Sequence, residues 1–180
     1  MDTIEATRLK LAEAEFFYRK LADADGRLVS GEPEAFGFYL SAFLSAARSV
    51  TYALQAERKA QYDIWYHNWA EALPKEQEDL LKHFNTQRVA TVHRKGAAIE
   101  SELEAISQSE YFLAVAKEGA QIEIWGGIPG TPAVPRFRMA RSLIFEGTKV
   151  NAVHASGQYV ALLSQLVNSF AERFTDESAT

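Results

Sequence analysis

Apolar residues recur at helical spacing along most of this chain, and the exceptions are gathered in one late segment. From Asp2 to Asp25, Ile4, Leu9, Ala12, Phe16, Phe17 and Leu21 fall near one face and Gly26 supplies a stop, which predicts a first helix. The run RLVSGEP reads as a connection, and Pro33 suits the first turn of a second helix over about Glu34 to Lys59. There Phe36, Leu40, Phe43, Ala47, Val50 and Leu54 form a continuous apolar face, which belongs at the centre of a bundle. Beside it runs a stripe of small residues, Gly37, Ser41, Ser45 and Ser49, that permits another helix to come close. Arg48 lies in the same span and has two readings: a cation aimed at a site, or a snorkelling side chain whose stem covers apolar surface. The spacing of Tyr62, Trp65, Tyr66 and Trp69 in AQYDIWYHNWAEAL predicts an aromatic helix packed on the bundle. His67, read as having no His or carboxylate at metal-ligand spacing, is a surface or packing residue.

Pro74 with Glu76, Glu78 and Asp79 after it marks a further helix start, with acids where the helix dipole favours them. That helix carries Leu80, Leu81, Phe84, Arg88 and Val92, and Gly96 ends or bends it. The region AAIESELEAISQSEYFLAVAKEG reads as partly helical, on the spacing of Ile99, Leu103 and Ile106. After Gly119 the pattern changes. IEIW, RFRMARSLIFEG and TKVNAV alternate apolar positions between Gly and Pro, predicting a small antiparallel hairpin or three short strands. GGIPG is no phosphate loop, because no Lys-Ser/Thr pair follows its glycines. From His154 or Ala155 to about Phe174, helical spacing returns with Tyr159, Leu162, Leu163, Leu166, Val167 and Phe170, before a frayed FTDESAT tail. The expected fold is mainly α: an up-and-down helical bundle with a small β-hairpin or short-strand segment before the C-terminal helix. One domain spans 1–180, with a helical core over 1–118, a strand-containing segment over 119–153 and a packing helix over 154–174.

Composition narrows the function classes. A chain of 180 residues, 47% hydrophobic, can bury a core of one-domain size. Its net charge of −5 provides no chain-wide field toward nucleic acid, so any such binding needs a local patch. The absence of cysteine excludes disulfides, thiolate metal sites and Cys nucleophiles. No apolar run approaches the roughly 18 residues of a membrane span, so a soluble, cytoplasmic protein with no membrane partner is expected.

The one dense cluster of candidate chemistry is HFNTQRVATVHRK, His83 to Lys95. Metal-free phosphodiester cleavage needs a group that exchanges a proton near neutral pH and a fixed cation for the phosphate; His93 and Arg88 are those types. The same residues also suit an ordinary bundle helix. No Glu-x-x-His or His-x-x-x-His pair occurs, and no metal or other cofactor is expected.

Taken together, FGFYLSAFLSAARSVTYAL on one helix and FNTQRVATVH on a later one resemble the HEPN family, in particular its small single-domain bacterial members with an Arg-x4-His motif. The resemblance covers roughly residues 34–95. It implies an α-helical bundle and a homodimer with two motifs near its interface. In the active branches it implies a metal-independent endoribonuclease, often in toxin-antitoxin or defence settings. Arg88 and His93 would be catalytic, Arg94 and Lys95 RNA-binding, and Arg48 and Asn85 supporting. Active members usually carry Asn, Asp or His directly after the motif Arg, where this chain has Val89, a departure that touches catalysis and not the fold.

Helix geometry adds a constraint of its own. Five positions at ~100° each leave Arg88 and His93 roughly 140° apart and ~7.5 Å along the axis, so they share no face of a regular helix. A joint site needs a distortion near Val92, or a two-fold axis that brings one chain's Arg88 to the other's His93. Two functions stay open: an RNase, with an antitoxin as its expected partner, in which His93 is general base and Arg88 stabilises the phosphate, or a non-catalytic module that binds RNA, a nucleotide or another protein.

Overall fold

The computed structural model describes residues 4–25, 34–93, 99–106, 136–145 and 147–175, and at 87–93, 103–106, 136–138, 145 and 175 the backbone alone. In order these form α1 (Glu5–Ala24), α2 (Ala35–Glu71), α3 (Lys75–His93), β1 (Ile99–Ile106), β2 (Arg136–Phe145), β3 (Thr148–Asn151) and α4 (Ala152–Thr175). The protein is mainly helical, with a three-stranded antiparallel sheet ahead of the last helix.

All six apolar positions expected along α2 are buried, as are the six along α4. At the centre each helix contributes one aromatic ring. Phe43 of α2 lies 6.4 Å from Tyr18 of α1, 6.1 Å from Phe84 of α3 and 6.3 Å from Tyr159 of α4, while Phe84 and Tyr159 stack at 4.3 Å. Edge-to-face and offset pairs of this kind add to simple area burial. Close packing of α4 on α1 depends on Gly157, where a Cβ would stand 2.6 Å from the Tyr18 hydroxyl.

The inward face of α1 differs from the expected one. Ile4, Thr7, Leu11, Ala14 and Leu21 are buried, whereas Leu9 and Phe16 face outward at 69% and 46% exposure. The true stripe passes through Thr7, which an apolar pattern overlooks. Thr7 is buried because Glu57 of α2 meets it: the carboxylate accepts from the Ala6 and Thr7 amides at 2.8 and 3.0 Å and from the Thr7 hydroxyl at 2.6 Å. Ile4, at the N-cap position, makes no side-chain cap bond, so a remote carboxylate satisfies the open amides of the first turn and complements the helix dipole.

The second helix and the aromatic helix are one element, broken at Arg58, whose φ of −140° and ψ of 45° are not helical. The expected boundary at Lys59 therefore marks a kink and no loop. Across it Gln55 donates to Asp63 at 3.0 Å. In the second half Trp65 meets Phe170 of α4 edge-on at 5.2 Å, so the aromatic stripe does pack on the bundle. His67 is exposed and lies 3.2 Å from Glu71, one turn on, which corrects the expectation that no carboxylate neighbours it.

The segment expected to be partly helical on the spacing of Ile99, Leu103 and Ile106 is strand β1 over Ile99–Ile106. Ile99, Leu103 and Ile106 do fit a helix, but IESELEAI also alternates, with Glu100, Glu102 and Glu104 on one side. Pairing with β2 selects the strand: Ile99 opposes Leu143, and Glu102 opposes Ala140. A period-2 pattern in a short run is decided by what lies beside it. The predicted strands RFRMARSLIFEG and TKVNAV are β2 and β3, in the order β1-β2-β3. Gly147, with a φ of 85°, makes their two-residue turn, and Leu143 then opposes Val150. The expected IEIW strand, GGIPG and the last five residues lie outside the described residues. Asn151 ends β3 and caps α4 at once, its carboxamide oxygen accepting from the His154 amide at 2.8 Å, so strand passes into helix without a loop.

Candidate functional site

The start of α3 follows from local chemistry. The Pro74 carbonyl accepts from the Gln77 and Glu78 amides at 3.0 and 3.1 Å, and the Lys75–Asp79 and Glu78–Lys82 pairs lie along its exposed side. Leu80, Leu81 and Phe84 are buried. His83, half-buried and edge-on to Phe84 at 5.9 Å, is held below the ordinary histidine range by burial, which favours the neutral imidazole. Asn85 is half-buried, and its Oδ1 is enclosed without a hydrogen-bond partner among the described residues.

The α3 backbone runs helically to His93. Arg88 therefore stands one turn past Phe84, and the continuous helix keeps Arg88 and His93 roughly 140° apart about the axis. The distortion near Val92 that a joint site within one chain requires is not part of this element. Side-chain positions for Arg88 and His93, and Arg94 and Lys95 altogether, lie outside the described residues.

Arg48 is described in full. Its guanidinium lies over the Tyr52 ring, 4.3 Å from the centroid, and donates to the Tyr52 hydroxyl at 3.2 Å and to the Thr51 hydroxyl at 3.4 Å. Among the described residues it meets no carboxylate. Its charge acts on the hydroxyls of Tyr62, Tyr66 and Tyr159. In a straight helix Tyr62 would be about 21 Å and Tyr66 about 27 Å from Arg48 along the axis. The helix between them is broken at Arg58. Tyr62 and Tyr66 stack at 4.9 Å, and Tyr159 is held against Phe84.

All three phenols resist ionisation. Burial pushes Tyr159 up to about 12, with the Arg48 charge pulling the other way. Burial likewise raises Tyr62, reinforced by Tyr66, and raises Tyr66 itself, each again opposed by Arg48. At neutral pH they are O–H groups able to donate.

The Arg48 head thus lies along its own helix, over the Tyr52 ring and on the Thr51 and Tyr52 hydroxyls. Arg48 and the Phe84 end of α3 share one neighbour, Tyr159. The tyrosine grouping was missed in the sequence, where Tyr62, Tyr66 and Tyr159 counted only as packing residues. The i,i+4 spacing of Arg48 and Tyr52 was the one available local signal. Along the small-residue stripe, a Cβ at Gly37 would meet nothing within 4 Å among the described residues, and the Ser45 and Ser49 hydroxyls donate to the carbonyls of Ser41 and Ser45.

Among the described residues no group of three His, Asp or Glu side chains is placed to hold a metal ion, and no helix is long and apolar enough to cross a membrane. Comparison with protein-family models, with curated proteins and with solved structures finds no match for the chain.

Proposed function

We propose that the chain is a HEPN-like bundle that cleaves RNA without a metal as a homodimer, in a toxin-antitoxin or defence setting. The observation that carries this reading is the helical backbone from Arg88 through His93, which sets the two residues on different faces and calls for a second copy to complete the site. His93 of one chain takes the proton of a ribose 2′-hydroxyl, and Arg88 of the other stabilises the charge that develops on the phosphate. Arg94 and Lys95 draw the strand in, while Arg48 and Asn85 support the site from α2 and α3.

A second reading is binding of RNA or a nucleotide without turnover, and Val89 favours it, because no polar group follows Arg88 to orient the site.

Complementation separates the two. Purified protein is incubated with single-stranded RNA in EDTA beside R88A, H93A and a co-expressed R88A/H93A heterodimer. The first reading expects both single variants to be inactive and the heterodimer to recover about half of the wild-type rate, since one of its two sites keeps both residues. Equal cleavage by wild type and H93A would mark contamination and end the catalytic reading. Saturable RNA binding with no cleavage by any form would establish the second.

A further inference from the structure

The outer face of α2 is almost uncharged. Between Ala35 and Ala56 the helix carries one charged residue, Arg48, and no carboxylate, in a chain of which 24% is charged. Burial of the opposite face accounts for the inward positions only; outward ones ordinarily carry charges of both signs. Here they are Phe38, Ser41, Ser45, Ser49 and Tyr52, all within ~40° of Ser45 about the helix axis. Phe38 is 68% exposed and Tyr52 48%. The Ser45 and Ser49 hydroxyls donate to carbonyls one turn back at 3.0 and 2.9 Å, so covering them strands no donor. Charge depletion beside exposed aromatic rings is the composition of an interface centre.

The order of these residues is also a palindrome about Ser45. Phe38 and Tyr52 stand seven positions before and after it, and Ser41 and Ser49 four. Laid antiparallel on a copy of itself and crossing at Ser45, the helix sets Phe38 of each copy against Tyr52 of the other, and Ser41 against Ser49. That self-complementarity is what a two-fold contact demands, and the serines let the two backbones come close. Charge selects the orientation. A parallel pair would set Arg48 against Arg48 and Glu34 against Glu34. The antiparallel pair sets each Arg48 opposite Ala42, ~9 Å along the axis from its twin, and each Glu34 opposite Ala56, within one turn of Lys59, which already pairs with Asp63. Covering the exposed parts of the four rings removes on the order of 500 Å² from water. The small residues between them bring the contact to about 1,000 Å², the lower bound for a specific interface.

We propose that this face of α2 is where two copies of the chain meet, antiparallel about a two-fold axis at Ser45. The contact goes beyond the RNA-cleavage reading, since it uses neither Arg88 nor His93 and stands whether or not the chain cleaves RNA.

Sedimentation equilibrium of the full chain at micromolar concentrations tests this. A concentration-dependent dimer is expected, and S45E, which sets two carboxylates against each other on the axis, should weaken it at least about tenfold. L9E, at an exposed apolar position of α1, should leave it intact. The chain has no cysteine, so single cysteine variants report the register. Under diamide, S45C should crosslink, because the axis brings its two sulfurs within disulfide reach. S41C, ~12 Å along the axis from its twin, should crosslink at least about tenfold more slowly. Circular dichroism confirms that each variant is folded; if S45E does not fold, the cysteine variants decide. A monomeric wild type, or a dimer indifferent to S45E, overturns the proposal, and S41C crosslinking as fast as S45C overturns the antiparallel crossing. A dimer lost in S45E, from a wild type that cleaves no RNA, upholds the contact and ends the catalytic reading alone. RNA cleavage by a dimer that S45E leaves whole does the reverse.

Discussion

Arg48 and Arg141 each lay a guanidinium over an aromatic ring, Tyr52 at 4.3 Å and Phe36 at 4.5 Å, and otherwise they have little in common. Arg141 reaches from β2 to the end of α1. It is 8% exposed, donates to the Ala24 carbonyl at 3.1 Å and pairs with Asp25 at 3.6 Å. Every contact supplies what a buried cation lacks: an acceptor or an opposite charge. That arginine ties the sheet to the bundle and closes the open carbonyl end of a helix. Arg48 stays on its own helix, donating to the Thr51 and Tyr52 hydroxyls one turn on, and among the described residues it meets no carboxylate. The lesson is that ring stacking alone does not distinguish an arginine that ties two elements together from one that lies along its own helix; the acceptors around it do.

The largest test of that contrast is stability. R141M keeps the stem over Phe36 and removes the head, leaving the Ala24 carbonyl and Asp25 carboxylate without their partner. Chemical denaturation should show a loss of about 3 kcal/mol. R48Q leaves no carboxylate stranded, and its loss should stay below about 1 kcal/mol. The reverse ranking would make Arg48 the structural tie.

High pH probes the Arg48 side. Tyr159 is pushed up to about 12 from an ordinary value of 10.0, so the unfolded chain ionises first. The stability this contributes is complete below pH 10 and is lost as the pH rises toward 12, by an order of about 2–3 kcal/mol for a shift of that size. Tyr62 and Tyr66 act in the same direction. Because the Arg48 charge opposes all three shifts, R48Q should move phenolate absorbance to still higher pH, whereas R141M in its folded form should not. Coincident curves for R48Q and wild type would detach Arg48 from the tyrosines.

Smaller effects sharpen the Arg141 side. Glu57 serves the opposite end of α1 in the same manner, so E57A should cost about 1–2 kcal/mol as a lost cap. D25N should cost least, about 1 kcal/mol or below, because the 3.6 Å ion pair is secondary to the carbonyl bond at 3.1 Å. A larger loss for D25N than for E57A would mean that charge pairing, and not the capping of open backbone groups, holds α1 at its C-terminal end.

The patterned helices were legible because burial imposes a period that residues such as Phe36, Leu40 and Phe43 record directly. Legibility failed where a polar residue was inside, as Thr7 is, or where a run fitted two periods, as IESELEAI does. In the first case the cause is Glu57, fifty positions away in sequence. In the second it is the neighbouring strand β2. The candidate site divides in the same way. Arg88 and His93 stand out by residue type, and the ~140° between them follows from spacing alone. The grouping of Arg48 with Tyr62, Tyr66 and Tyr159 could not be read, because a run of aromatics at helical spacing has the same appearance whether its hydroxyls end in solvent or beside a cation.

By itself the sequence determined the helical character of the chain, the inward faces of α2 and α4, and the strands that form over 136–145 and 148–151. Each of these rests on interactions within a few residues, or on a periodicity that any buried face must have. Only the tertiary structure decided that α2 breaks at Arg58, that both ends of α1 are capped by remote side chains, and that β1 is a strand. The physical reason is common to all of them: hydrogen-bond acceptors, charges and sheet partners distant in sequence set the free energy of these groups, and their positions exist only once the chain has folded.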